Sequence, residues 1–256
     1  MEGSFAILSG IPLIDLARHF IEVLSLANRE FLMRPGIAGA IVAVAMLFAG
    51  VTQAAKPPTT WDGLVQVSSK RLDLVYLQPG ADFRGYTKVI LDPTQVAFEK
   101  NWKRDYNRSA SSPANRISDK EIERTISQAA SAATEIFAKA WTKGGFVVVQ
   151  TPGDDVLRVT TGVLNISVSA PDRMTAGRSR TFSREAGRAT FFVEVRDSVT
   201  GALLGRAVDQ RIVGDNMMQW RTSGSNRADF RHEVERWAEI SVRGMNELKA
   251  LSSAGK

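Results

Sequence analysis

Hydrophobic spacing divides this chain into segments of three kinds. After Ser118, apolar residues recur at helical spacing: Ile122, Ile126, Ala129, Ala133, Ile136, Phe137 and Ala140 fall on one face. Ser118-Asp119-Lys120-Glu121 fits a capping box at the start, and Gly144-Gly145 stops the helix. A second helix is predicted from about 226 to 251, with Phe230, Val234, Trp237, Met245 and Leu248 on one face. Its other face carries Arg227, Arg231, Glu235, Glu239 and Arg243, which pair at i,i+4 spacing and stay solvated.

Period-two alternation marks the strands. Leu72, Leu74 and Tyr76 alternate before a Pro79-Gly80 turn, and Val89-Ile90-Leu91 resumes at Val96 and Phe98 beyond Asp92-Pro93. Pro93 donates no ladder hydrogen bond, so the strand bends or bulges there. GFVVVQ reads as a buried strand, followed by a Pro152-Gly153-Asp154-Asp155 turn. From Leu157 to Val168 the apolar phase switches from odd to even positions, which predicts a bulge near Gly162. Two further strands are joined as a hairpin at 197–201. Residues 101–117 and 171–187 are polar, Arg- and Ser-containing, and read as exposed loops. The order β-β-α-β-β-β-β-α implies an α+β fold, a mainly antiparallel sheet packed by two helices in a single domain at 71–253.

The third kind of segment is the run GAIVAVAMLFAGVTQAAKPP at 39–58. Met33-Arg34 precede it, no charge occurs from Pro35 to Ala55, and Thr52 and Ala54 supply the small residues that signal peptidase requires. A spanning helix needs roughly 20 strongly apolar residues, and this Ala/Gly-diluted run is densest only from Ile37 to Phe48. Residues 33–54 therefore read as a signal peptide cleaved after Ala54, with an uncleaved inner-membrane anchor as the alternative. The 32 residues before Met33 contain Asp15, Glu22 and Glu30, which a signal avoids. They are expected to be either an over-extended start or an N-terminal amphipathic extension. Residues 55–70 read as a leader, with Trp61 and Leu64 docking on the domain.

Composition narrows the chemistry. With no Cys, neither a disulfide, a thiolate metal site nor a cysteine-borne lipid anchor is available. Residues 1–54 hold three of the 33 basic and four of the 27 acidic residues, leaving 30 and 23 and a net charge of +7 on the exported part. That balance favours an anionic surface or an envelope protein as partner. Nucleic acid is not expected, since no basic run is interleaved with aromatics. His232 is the one histidine after the signal, so a His-pair zinc site is excluded, and no Gly-x-Ser-x-Gly elbow accompanies it. Asp154-Asp155 reads as a turn rather than a cation site, and no cofactor or metal is expected. Asp209 and Arg211 share a strand face and are expected to pair inside the fold, and Asp92 to bond its own turn backbone. Trp102, Tyr106 and the neighbouring cations form an exposed amphipathic patch. The two loops place Lys103, Arg104, Arg108, Arg178 and Arg180 as the expected binding face for a partner.

The stretch YLQPGADFRGYTKVILDP, the VEVRDSVTGALLGRAVDQR hairpin and the closing NRADFRHEVERWAE segment together resemble the bacterial envelope family catalogued as domain of unknown function 3313. The resemblance runs from about Trp61 to Leu248 and is carried most sharply by Asp92, Pro93, Asp197, Thr200, Gly201, Asp209, Arg211 and Trp237. It implies export, since many members are described as lipoproteins, and it supplies no catalytic residue. The missing lipobox cysteine removes the anchoring of the lipidated members. The resulting expectation is a periplasmic accessory or binding protein, with a periplasmic hydrolase or a single-pass inner-membrane-anchored protein as alternatives.

Overall fold

The computed structural model describes residues 57–110, 112–168, 182–214 and 218–254. The signal segment with Ala54, the residues before it, and Arg178 and Arg180 lie outside the described residues. The described residues from Thr60 onward form one compact unit.

In chain order the elements are β1 (Thr60–Trp61), β2 (Leu64–Val67), β3 (Leu74–Leu77), β4 (Lys88–Leu91), β5 (Gln95–Phe98), α1 (Trp102–Arg108), a 3₁₀ turn (Pro113–Asn115), α2 (Asp119–Lys143), β6 (Val147–Val148), β7 (Val156–Val168), β8 (Phe182–Ser183), β9 (Gly187–Asp197), β10 (Leu203–Val213), β11 (Gln219–Trp220) and α3 (Ser223–Ala254). The main sheet runs β1-β2-β3-β10-β9-β7-β4-β6, with β5 also on β7, and β8 pairs with β11 apart from it. Pairings from β1 through β7 are antiparallel. Pairing turns parallel where β4 and β5 meet β7 and β4 meets β6, so the fold is α+β with a mainly antiparallel sheet.

Pro93 explains the division between β4 and β5. Both lie on β7, β4 opposite 156–159 and β5 opposite 162–166, as two halves of one line interrupted by a residue that cannot donate. The gap is filled by Thr94, whose N–H donates to Thr134 Oγ1 of α2 at 2.9 Å. The β7 bulge falls later than the sequence suggests. Asn165 takes φ +50° and the register with β9 shifts between Leu164 and Ser167. Gly162 is needed for another reason: a Cβ there would stand 2.0 Å from Phe192 Cε1.

Residues 60–67, assigned above to the leader, form the β1-β2 hairpin, and Leu64 is fully buried. The 101–117 segment is not wholly loop, since Trp102 to Arg108 is helical and Trp102 stacks on Phe98 at 4.3 Å. At α2 the capping box is present, with Glu121 Oε2 accepting from Ser118 N–H at 2.8 Å. The helix ends so close to α3 that a Cβ on Gly144 would lie 2.0 Å from Val242 Cγ1. Helix α3 opens with a reciprocal pair: Thr222 Oγ1 accepts from Ser225 N–H, and Ser225 Oγ from Thr222 N–H. Both helices lie on one sheet face, where Phe191 of β9 stacks between Phe137 of α2 at 5.7 Å and Trp237 of α3 at 5.3 Å.

Candidate functional site

The positions singled out from the sequence divide into separate structural groups. Asp197 terminates β9 and accepts from the N–H of Val199 and of Thr200 (2.7 Å) and from Thr200 Oγ1, while Gly201 takes φ +70°. Those backbone donors, Thr200 first, hold its carboxyl below the usual carboxylate range. Tyr86 Oη donates to the same carboxylate at 2.8 Å, and burial together with that charge pushes its phenol up to about 12. Asp92 bonds across to β7 rather than to its own turn, accepting from Arg158 Nε at 3.0 Å and Thr160 Oγ1 at 2.7 Å. Asp155 accepts from Thr87 and Lys88, and no group of three potential metal ligands occurs among the described residues. His232 is exposed on α3. On α1, Lys103 pairs with Asp119 and Arg104 with Asp105, both in exposed ion pairs of the weak, screened kind.

Asp209, Arg211 and Trp237 do come together. Asp209, fully buried, accepts from Trp237 Nε1 at 2.8 Å, from Arg211 Nε at 2.7 Å and Nη2 at 3.0 Å, and from the backbone N–H of Asp73 at 3.1 Å. Asp73 in turn accepts from Gln210 N–H at 2.9 Å, and Arg211 Nη2 donates to Arg71 O at 3.0 Å. So many donors hold the buried carboxylate in one position. Here it ties β10, α3 and the β2–β3 connection into one unit. Nearby Glu233 is buried without such help: Oε1 has no partner among the described residues, and Arg236 lies 3.7 Å from Oε2. Desolvation pushes its carboxyl above the usual range.

The connection held by Asp209 and Arg211 is one rim of a half-open cavity of about 570 Å³, within the range of small-molecule sites. Its walls are Val75 and Leu77 of β3, Val193 and Val195 of β9, Ala207 of β10, and Ile240, Met245 and Leu248 of α3. Across the mouth, Arg71 Nη1 donates to Glu247 at 2.8 and 2.7 Å, with Lys70 beside it and Leu251 exposed. Two features of the lining are unusual for a packed core. Trp141 is 1% exposed, yet its indole N–H has no acceptor among the described residues, although a buried donor nearly always has one. Gly244 lies inside α3, where glycine is about 0.5–1 kcal/mol less favourable than alanine, and a Cβ there would meet nothing within 4 Å. Sequence reasoning passed over both, because Trp141 reads as an ordinary core aromatic and Gly244 as a blemish in a helix.

The fold and cavity define an α+β domain with a built recess between sheet and helix, and no catalytic constellation is assembled among the described residues around it. The chain belongs to the family described as protein of unknown function (DUF3313), which matches residues 54–239. No curated protein matches the chain. Among solved structures it is similar to the PelC dodecamer from Paraburkholderia phytofirmans, at 12% identity and a TM-score of 0.35, covering 67% of this chain and 95% of that one. It is also similar to a Xanthomonas campestris protein of the family DUF330, at 10% identity and a TM-score of 0.35, covering 69% and 93%. Overlaps of this size fix neither a shared fold in detail nor a shared activity. No helix among the described residues is long and apolar enough to cross a membrane.

Proposed function

We propose that the protein is exported to the cell envelope and acts in the periplasm as an accessory protein that binds its ligand without transforming it. The binding half of this reading is supported by the cavity, a recess walled mainly by aliphatic side chains with Lys70, Arg71, Arg206 and Glu247 also in its lining. The export half is supported by Arg34, the uncharged run to Ala55 and the small residues Thr52 and Ala54. An envelope protein or an anionic surface is the partner in this reading, met through Lys103, Arg104, Arg108, Arg178 and Arg180.

Cell fractionation with mass spectrometry of the mature N-terminus tests export. The expected product is periplasmic and begins at Ala55. An intact chain from Met1 in the cytoplasm would overturn the reading, and a full-length species in the membrane fraction would replace it with the anchored form. Hydrolysis of ester, peptide or glycan substrates that is abolished by His232→Ala would overturn the non-catalytic half. Crosslinking in cells that is unchanged when Arg104, Arg108, Arg178 and Arg180 become Ser would remove the basic face as the contact.

A further inference from the structure

One end of the β9-β10 ladder carries a surface distinct from the cavity. Beyond Gly187 and Val213 the two strands continue as the short β8-β11 pair, in which Phe182 and Trp220 stand opposite each other with ring centroids 5.1 Å apart. Phe182 is 50% and Trp220 55% exposed, and they are the two exposed aromatic side chains among the described residues. Ile212, one residue before the end of β10, and Met218, one residue before β11, are each 49% exposed. Four of the nine exposed large apolar side chains among the described residues thus belong to this end of the ladder, a concentration that marks a contact surface where scattered ones would not.

So short a strand pair has little stability of its own, and a buried arginine holds it. Arg221, directly after β11, has no side-chain exposure. Its Nε donates to Ser183 O of β8 at 3.0 Å, its Nη2 to Gly214 O at 2.9 Å, and its Nη1 to Asp229 of α3. Gly214, at φ +82°, makes room for it, since a Cβ there would lie 2.9 Å from that Nη2. The half-exposed rings are therefore presented from a fixed base. The same segments carry free positive charge. Arg184, Arg188 and Arg227 are exposed and pair with no carboxylate among the described residues, against Glu185 alone, because Asp229 is taken by Arg221. Arg188 stands opposite Ile212 in the register, which puts a cation and an exposed aliphatic side chain at one level.

A Trp and a Phe that settle at headgroup depth, aliphatic side chains beside them and unpaired arginines around them make up an interfacial anchor for an anionic bilayer. We infer, on the reading above that the partner is an anionic surface, that the β8-β11 end docks on the anionic phospholipids of a membrane. Phe182 and Trp220 enter the interface, and Arg184, Arg188 and Arg227 meet the phosphates.

Fluorescence quenching of the purified full chain by vesicles with brominated acyl chains tests this, with phosphatidylglycerol as the anionic lipid and phosphatidylcholine as the neutral one. The chain has five tryptophans, so the Trp220 signal is taken as the difference between wild type and Trp220→Phe, which also cancels attachment through any other segment. Trp220 should be quenched by the phosphatidylglycerol vesicles and far less by phosphatidylcholine. Arg184→Ser combined with Arg188→Ser should raise the lipid concentration at half-quenching about 10-fold or more at low salt, and by less at high salt. Phe182→Ser should raise it about 5-fold. All three side chains are exposed, so thermal midpoints should stay within about 2 °C of wild type. Trp220 left unquenched by the anionic vesicles overturns the inference, as does quenching unchanged in the double arginine variant. Equal quenching by phosphatidylcholine overturns the anionic assignment, and crosslinking of position 220 to a protein in cells without lipid quenching gives the surface to that protein instead. Fractionation decides export separately: a cytoplasmic chain whose Trp220 is quenched refutes the compartment and leaves the surface standing, and an exported chain with Trp220 unquenched does the reverse.

Discussion

Replacing Trp237 with Phe tests whether Asp209 is the point at which α3 is fixed to the sheet. The substitution keeps a ring against Phe191, 5.3 Å away, and removes the donor that reaches Asp209 Oδ2 at 2.8 Å. A hydrogen bond to a charged group contributes about 1.5–3 kcal/mol, and the lost part of the indole adds about 1 kcal/mol at a site with no exposure. The total is about 2.5–4 kcal/mol, or a midpoint lowered by about 5–16 °C for a domain of this size. Asp209→Asn keeps the shape but leaves the Arg211 guanidinium without its counterion. Because the Arg211 side chain is 32% exposed, its loss should be smaller than the 3–5 kcal/mol of a fully buried pair. Urea unfolding of the two single variants and the double variant gives the coupling, expected at about 1 kcal/mol or more. A coupling below about 0.5 kcal/mol would show that Trp237 stabilises by packing alone and that the bond to Asp209 does not join the elements.

Glu233 makes a pH-dependent prediction. Its folded carboxyl titrates above the usual range because of burial, so between about pH 4.3 and that raised value the folded state binds more protons, and stability falls as pH rises. Glu233→Gln should match wild type at the acid end and become progressively more stable towards neutrality; a pH-independent gap between the two would refute the assignment. Gly162→Ala places a Cβ 2.0 Å from Phe192 Cε1, and should cost about 1–3 kcal/mol in chemical denaturation. Ser118→Ala removes the α2 cap and should cost about 1 kcal/mol, seen as a lower urea midpoint at an unchanged m-value.

Elements with a strong local signal were legible. The Ser118–Glu121 cap and the Gly144-Gly145 stop bound α2 because both act within a few residues, and the Asp197–Gly201 turn fixes its hairpin in the same way. What escaped was held by distant partners. The β1-β2 hairpin is the exception: it carries a local signal, Asp62-Gly63 at φ +51° and +82° between Trp61 and Leu64, which a reading of 55–70 as a leader passes over. Helix α1 is short, with Trp102 and Tyr106 packed together at 5.1 Å, and its Trp102 finds Phe98 on a preceding strand. Gly162 lies at the phase change and so reads as the bulge, but its lack of a side chain serves Phe192 on the neighbouring strand. The cavity could not be read at all, since it is assembled from five separate stretches of chain.

The sheet order places β3 beside β10, with Val75 opposite Ala207, and Arg71 reaches Glu247 near the far end of the chain. During synthesis β2 and β3 can pair with each other at once, but the other edge of β3 stays open until β10 has been made. Such a topology folds slowly, because the closure of a long loop precedes any reward from contacts. A polypeptide halted before α3 would carry a sheet whose helix-facing side is covered by α2 alone, leaving apolar surface that promotes self-association. The C-terminal helix is therefore the element that ends the period of risk, and its arrival completes work begun by the first strands.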